Sequence, residues 1–81
     1  MSRMDHRVNQ RVATRIVGKL SESGRSNSDL ADHLNISEAT LLRRLTSQTS
    51  FTVTEVAHVA KFFGCGLVDL IPMDHATKQS A

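Results

Sequence analysis

Residues 37–43 hold a dense set of groups able to read a surface of hydrogen-bond donors and acceptors: Ser37, Glu38, Ala39, Thr40 and Arg43. A carboxylate can accept from a cytosine amino group, and a hydroxyl can bond a base edge or touch a thymine methyl. An alanine methyl can pack on that same methyl, and a guanidinium can take guanine O6 and N7 together. Glu38, Ala39, Thr40 and Arg43 are therefore candidate base contacts. Glu38 also has a plainer reading, as an acidic first-turn residue that complements a helix dipole. Short polar residues suited to phosphate oxygens stand on both sides: Ser26, Asn27, Ser28 and Ser37 ahead, and Ser47, Gln48 and Thr49 behind. Arg44 stays open between a phosphate contact and a solvated surface arginine.

Other chemistries find less support. His6, His33, His58 and His75 follow no metal-ligand spacing and Cys65 is the only cysteine, so no metal site is expected. No nucleophile elbow and no Gly-rich phosphate loop occurs, so neither an enzyme nor a cofactor or small-molecule ligand is expected. Cys65 reads as a small core hydrophobe. Trp and Tyr are absent, and the aromatics are Phe51, Phe62 and Phe63, too few for a base-stacking platform.

The elements that must position these groups are helices. Asp5 is a candidate N-cap for a first helix. Val8, Val12, Ile16 and Leu20 recur every four residues, with Ala13 and Val17 beside them, as one apolar face. Arg3, Arg7, Arg11, Arg15 and Lys19 form a neighbouring basic stripe, open between a solvated face and a polyanion contact. Gly24 ends this helix. Ser26 and Asp29 make a near capping box for a second helix, whose apolar face is Leu30, Ala31 and Leu34. Asn35 suits the left-handed residue of a tight turn, and Ile36 plugs that turn into the core. Ser37 caps a third helix, Glu38 to about Thr46, with Leu41 and Leu45 inward. Thr52 and Glu55 form a full capping box for a fourth helix, and Phe51 and Val56 stand at hydrophobic-staple positions. Val56, Val59, Ala60 and Phe63 give its buried face, and Gly64 closes it. Leu67, Leu70 and Ile71 suggest a short fifth helix stopped by Pro72. The expected organisation is an all-α domain over residues 1–72 with a flexible tail over 73–81. No strand is expected.

The 81 residues suit one small domain. The net charge of +2 conceals an asymmetry. Residues 1–25 carry +4, from Arg3, Arg7, Arg11, Arg15, Lys19 and Arg25 against Asp5 and Glu22, whereas residues 26–81 carry −2. Such a distribution fits a protein that turns one face to a polyanion. No apolar run approaches a membrane span and no signal-peptide core is present, so a soluble, cytoplasmic protein is expected. Phe62 and Val68 lie off the predicted core faces, either as a snug fit or as a patch for self-association.

The run SNSDLADHLNISEATLLRRLT, with Ser26, Leu30, Ala31, Leu34, Ile36, Ser37 and Leu41 at matching spacings, resembles the lambda-repressor-like, Cro-type helix-turn-helix family of phage and bacterial regulators. Val59-Ala60, Phe63 and Gly64 resemble that family's fourth helix, and the likeness runs from about Arg7 to Ile71. Asn27 stands where the family often has Gln, Asn35 replaces the usual turn glycine, and Arg44 stands at a position often apolar. The resemblance implies a compact five-helix domain that binds double-stranded DNA sequence-specifically. It also implies a transcriptional repressor acting by operator occlusion in a bacterial or phage-infected cell, and leaves open a homodimer, formed either in solution or only on DNA. The rival readings are an antitoxin-like protein-interaction module with autoregulatory DNA binding and a non-specific architectural binder.

Overall fold

Short polar side chains at helix starts and left-handed residues at helix ends set the boundaries in this chain. In the computed structural model, which describes residues 3–71, α1 is His6–Ser23, α2 Asn27–Leu34, α3 Glu38–Leu45 and α4 Val53–Phe63. Asp5 accepts from the Arg7 N–H at 2.8 Å, Ser26 from Asp29 at 3.1 Å, Ser37 from Thr40 at 3.1 Å and Thr52 from Glu55 at 3.1 Å. Each bond satisfies one of the first-turn donors that a helix leaves open. In α2 and α4 the Asp29 and Glu55 carboxylates reach back to the Ser26 and Thr52 N–H groups, completing reciprocal boxes. Gly24, Asn35 and Gly64 close α1, α2 and α4 with φ of 72°, 59° and 70°.

One core joins all four helices: Val12, Ile16 and Leu20 from α1, Leu30 and Ala31 from α2, Leu41 from α3, and Val56, Val59 and Ala60 from α4. Phe51 and Leu70 are fully buried with them. Burying an aliphatic or aromatic side chain of this size contributes about 1.5–3 kcal/mol, so these few residues supply most of the cohesion of so short a chain. Leu34, Ile36, Leu45, Phe63 and Cys65 pack half-buried around the cluster. The inward face of α1 is not the strict series of fours. It is Asn9, Val12, Ala13, Ile16 and Leu20, because at 3.6 residues per turn a step of four drifts about 40° and the face must correct with steps of three. Val8 is left half-buried, and Val17 is 50% exposed rather than part of the face.

Two other expectations change. The fifth helix is a single 3-10 turn, Leu67–Asp69, in which Asp69 accepts from the Gly66 N–H at 3.0 Å. One tight turn between Gly66 and the buried Leu70 suffices to bring Leu67 and Leu70 to the core. The chain also makes an isolated antiparallel bridge, Arg3 with Thr52, supported by Met4 N–H donating to the Phe51 carbonyl at 3.0 Å. The segment before α1 is thereby tied to the segment before α4. Among the described residues no helix is long and apolar enough to cross a membrane. Pro72 and the expected tail over 73–81 lie outside the described residues.

Candidate nucleic-acid interface

α2 and α3 are short helices of 8 residues each, joined by residues 35–37. Asn35 takes the left-handed conformation, the Ile36 N–H donates to the Ala31 carbonyl at 3.0 Å, and Ser37 begins the next helix. Ile36 is half-buried against the core and pins the turn from below. The orientation of α3 is therefore fixed at its start by backbone geometry and along its length by Leu41, which is fully buried.

That orientation separates the candidate residues. Glu38, Ala39 and Arg43 are exposed, and Thr40 is half-buried. The Ser37 hydroxyl donates to Thr40 Oγ1 at 2.8 Å, which leaves the Thr40 proton available to an outside acceptor. The Arg43 guanidinium and the Glu38 carboxylate have no partner among the described residues. Leu42, not anticipated as a surface residue, is 43% exposed on the same outward side, one turn on from Glu38 and between Glu38 and Ala39 around the helix.

Arg44 departs from expectation. It is 9% exposed, and its Nε donates to Glu55 Oε1 at 3.1 Å. The same Glu55 oxygen accepts from the Thr52 N–H at 2.9 Å, so Arg44 is attached to the cap of α4. One residue along a helix is about 100° of rotation, and from the outward Arg43 that rotation carries Arg44 to the protein side. Its guanidinium is withdrawn from the set of backbone contacts.

The flanking polar residues divide in the same way. The Ser26 hydroxyl is engaged in the α2 cap and the Ser37 hydroxyl in the α3 cap. Ser47, with φ 64°, turns its hydroxyl inward to accept from Asn9 Nδ2 at 3.0 Å. Ser28, Gln48 and Thr49 are exposed and Asn27 is half-buried. The Gln48 and Thr49 N–H groups close on the Arg43 carbonyl at 2.8 and 3.3 Å, which holds the residues after α3 in a compact turn while their side chains remain outside.

Asn9 is the structural centre that sequence reasoning missed. Fully buried, it donates to the Arg44 carbonyl and to Ser47 Oγ, both at 3.0 Å, and accepts from the Phe51 N–H at 2.7 Å. One side chain on α1 thus fixes the end of α3, the turn after it and the start of the α4 segment. The available signal was its place at i−3 from Val12 and i−7 from Ile16, inside the apolar face.

The basic stripe is partly absorbed within the fold. Arg3 donates to the Ser50 carbonyl at 2.7 Å and Arg15 to the Asp69 carbonyl at 3.4 Å. Phe62 is half-buried, with the Arg25 guanidinium 4.4 Å from its ring centroid, the His33 ring tilted against it at 5.2 Å and Phe63 edge-on at 5.1 Å. It is engaged within the chain, whereas Val68 is 61% exposed. Among the described residues no three His, Cys, Asp or Glu side chains gather as a metal site, and His33 Nε2 lies 3.0 Å from the His58 carbonyl oxygen. His75 lies outside the described residues.

The chain superposes on a solved structure described as a hypothetical transcription factor, NHTF, from Neisseria. The TM-score is 0.73 at 11% sequence identity, over 100% of this chain and 94% of that one. At this identity the likeness is one of fold alone. No family model and no curated protein matches the sequence.

Proposed function

We propose that this chain is a sequence-specific double-stranded DNA-binding regulator of the lambda-repressor-like type, with α2 and α3 acting as a helix-turn-helix. The observation that carries the reading is the division of α3: Leu41 and Arg44 hold it to the protein, Glu38, Ala39 and Arg43 are exposed, and Thr40 lies half-buried at the edge. A major groove about 12 Å wide admits one such helix, with its N-terminal residues toward the base edges. In that position Arg43 grips guanine through two parallel bonds, Glu38 accepts from a cytosine amino group, and Thr40 donates its free proton to a base acceptor. Asn27 and Ser28 ahead of α3 and Gln48 and Thr49 behind it hold phosphates, which sets register without reading sequence. A chain of this kind represses by covering promoter DNA.

The test is selection from a random duplex library at two salt concentrations, with the wild type and Arg43→Ala. The expected result is enrichment of one short motif, with its preference at one base pair relaxed in the variant. Uniform binding that only follows salt would indicate a non-specific binder, and binding to no duplex would overturn the proposal.

A further inference from the structure

We infer that Leu42 is a specificity-determining residue that reads a thymine 5-methyl group, an inference that rests on α3 being the helix that enters the major groove. The starting point is a mismatch between residue and surroundings. Leu42 is a large aliphatic side chain, 43% exposed, in a helix whose buried apolar contact is made by Leu41. It contributes to α3 through its backbone, where its carbonyl accepts from the Thr46 hydroxyl at 2.8 Å and from the Thr46 N–H at 2.9 Å. Any residue type supplies that carbonyl, so the bond does not require a leucine side chain.

Its neighbours define what can cover it. Ala39, one turn earlier, and Arg43, the next residue, are both exposed. Leu42 therefore belongs to the outward side that also carries the free guanidinium. A major groove presents nitrogen and oxygen acceptors, amino donors and a single apolar group, the C5-methyl of thymine. A leucine placed there beside an arginine has that one group to bury against, and Ala39 adds a second, smaller apolar surface alongside. The pair makes a hydrophobic reading element next to the charged one. The predicted target is a thymine close to the guanine taken by Arg43.

The experiment takes the duplex that the full chain enriches from a random library and replaces each thymine in turn by deoxyuridine, which removes the methyl and leaves every hydrogen-bonding group. Affinities are measured for the wild type and for Leu42→Ala. At one or two positions the wild type should bind about fourfold more weakly per methyl removed, the change expected for one buried methylene-sized group. Leu42→Ala should show no such penalty at the position Leu42 reads. Because the modification is made in the DNA, misfolding of a variant cannot imitate the wild-type result. A wild type indifferent to every deoxyuridine, or a Leu42→Ala variant that keeps the full penalty, would overturn the inference while leaving DNA binding intact. A Leu42→Ala variant that keeps wild-type DNA affinity but loses self-association would overturn it in favour of a protein contact. Failure to enrich any duplex removes the DNA-binding reading and this inference with it.

Discussion

Arg43 and Arg44 are the same residue type on the same helix, yet they occupy opposite environments. Arg43 is exposed beside Ala39 and Leu42, and its guanidinium has no partner among the described residues. Arg44 is buried, bonded to Glu55 through its side chain and to Asn9 through its carbonyl. The outward side of α3 is rich in groups that gain partners only from outside, whereas the inward polar seam of Asn9, Arg44, Glu55 and Thr52 is closed on itself. No buried side-chain nitrogen or oxygen among the described residues lacks a partner. The difference separates two uses of polarity. Inside, it fixes one orientation of α3 and is costly to disturb; outside, it is free for recognition and cheap to change for stability.

The comparison breaks most readily at Asn9. Asn9→Ala removes two donated bonds and one accepted bond from a fully buried site and leaves the Phe51 N–H unpartnered, so a loss of about 2–4 kcal/mol is expected. In a chain of this size that lowers Tm by on the order of 10–20 °C, and a thermal melt followed by circular dichroism showing a drop of less than a few degrees would contradict the closed seam. Glu55→Ala should cost about 2–3 kcal/mol in urea denaturation, because it strips a buried arginine of its counter-ion and the α4 cap of its acceptor. Arg44→Met should cost less, since it leaves the Glu55 carboxylate on the α4 cap; equal losses would show that the ion pair rather than the cap matters. On the outer side, Arg43→Ala should weaken the selected duplex about tenfold to a hundredfold with no resolvable change in Tm. A matching fall in stability would erase the distinction between the two arginines. The smallest effect belongs to the turn between the helices. Asn35→Ala should cost about 1 kcal/mol because the left-handed backbone at φ 59° is unfavourable for a side chain that cannot bond locally, and Asn35→Gly should restore it.

Much of this arrangement was legible in the sequence because it is written in local chemistry. Asp5, Ser26, Ser37 and Thr52 are caps whose partners lie two or three residues away, and Gly24, Asn35 and Gly64 mark helix ends by backbone preference alone. The inward places of Leu30, Leu41 and Val56 follow from helical periodicity. What escaped depends on partners distant along the chain. Arg44 meets Glu55 and Asn9 meets Phe51, separated by 11 and 42 positions; spacing could place Asn9 on the inward face of α1 but could name neither partner. The same holds for Arg3 and Thr52, whose bridge has no alternating pattern behind it. Ser47 was misplaced for a related reason: a serine in a polar loop reads as exposed until the Asn9 amide is known to face it. The outward set of α3 was readable apart from Leu42, which a helix pattern assigns no more to one side than to the other when it follows Leu41.

The bond from the Phe51 N–H to Asn9 Oδ1 has a kinetic consequence. Phe51 lies outside any helix, where amide protons ordinarily exchange with solvent within local fluctuations. Here both residues are fully buried, and the acceptor is a side chain rooted in the first turn of α1, at the start of its core face. Releasing that proton requires α1 to leave the other helices. In deuterated water the Phe51 amide should therefore exchange as slowly as those of Ile16 or Val59, a loop position that reports the opening of the whole molecule.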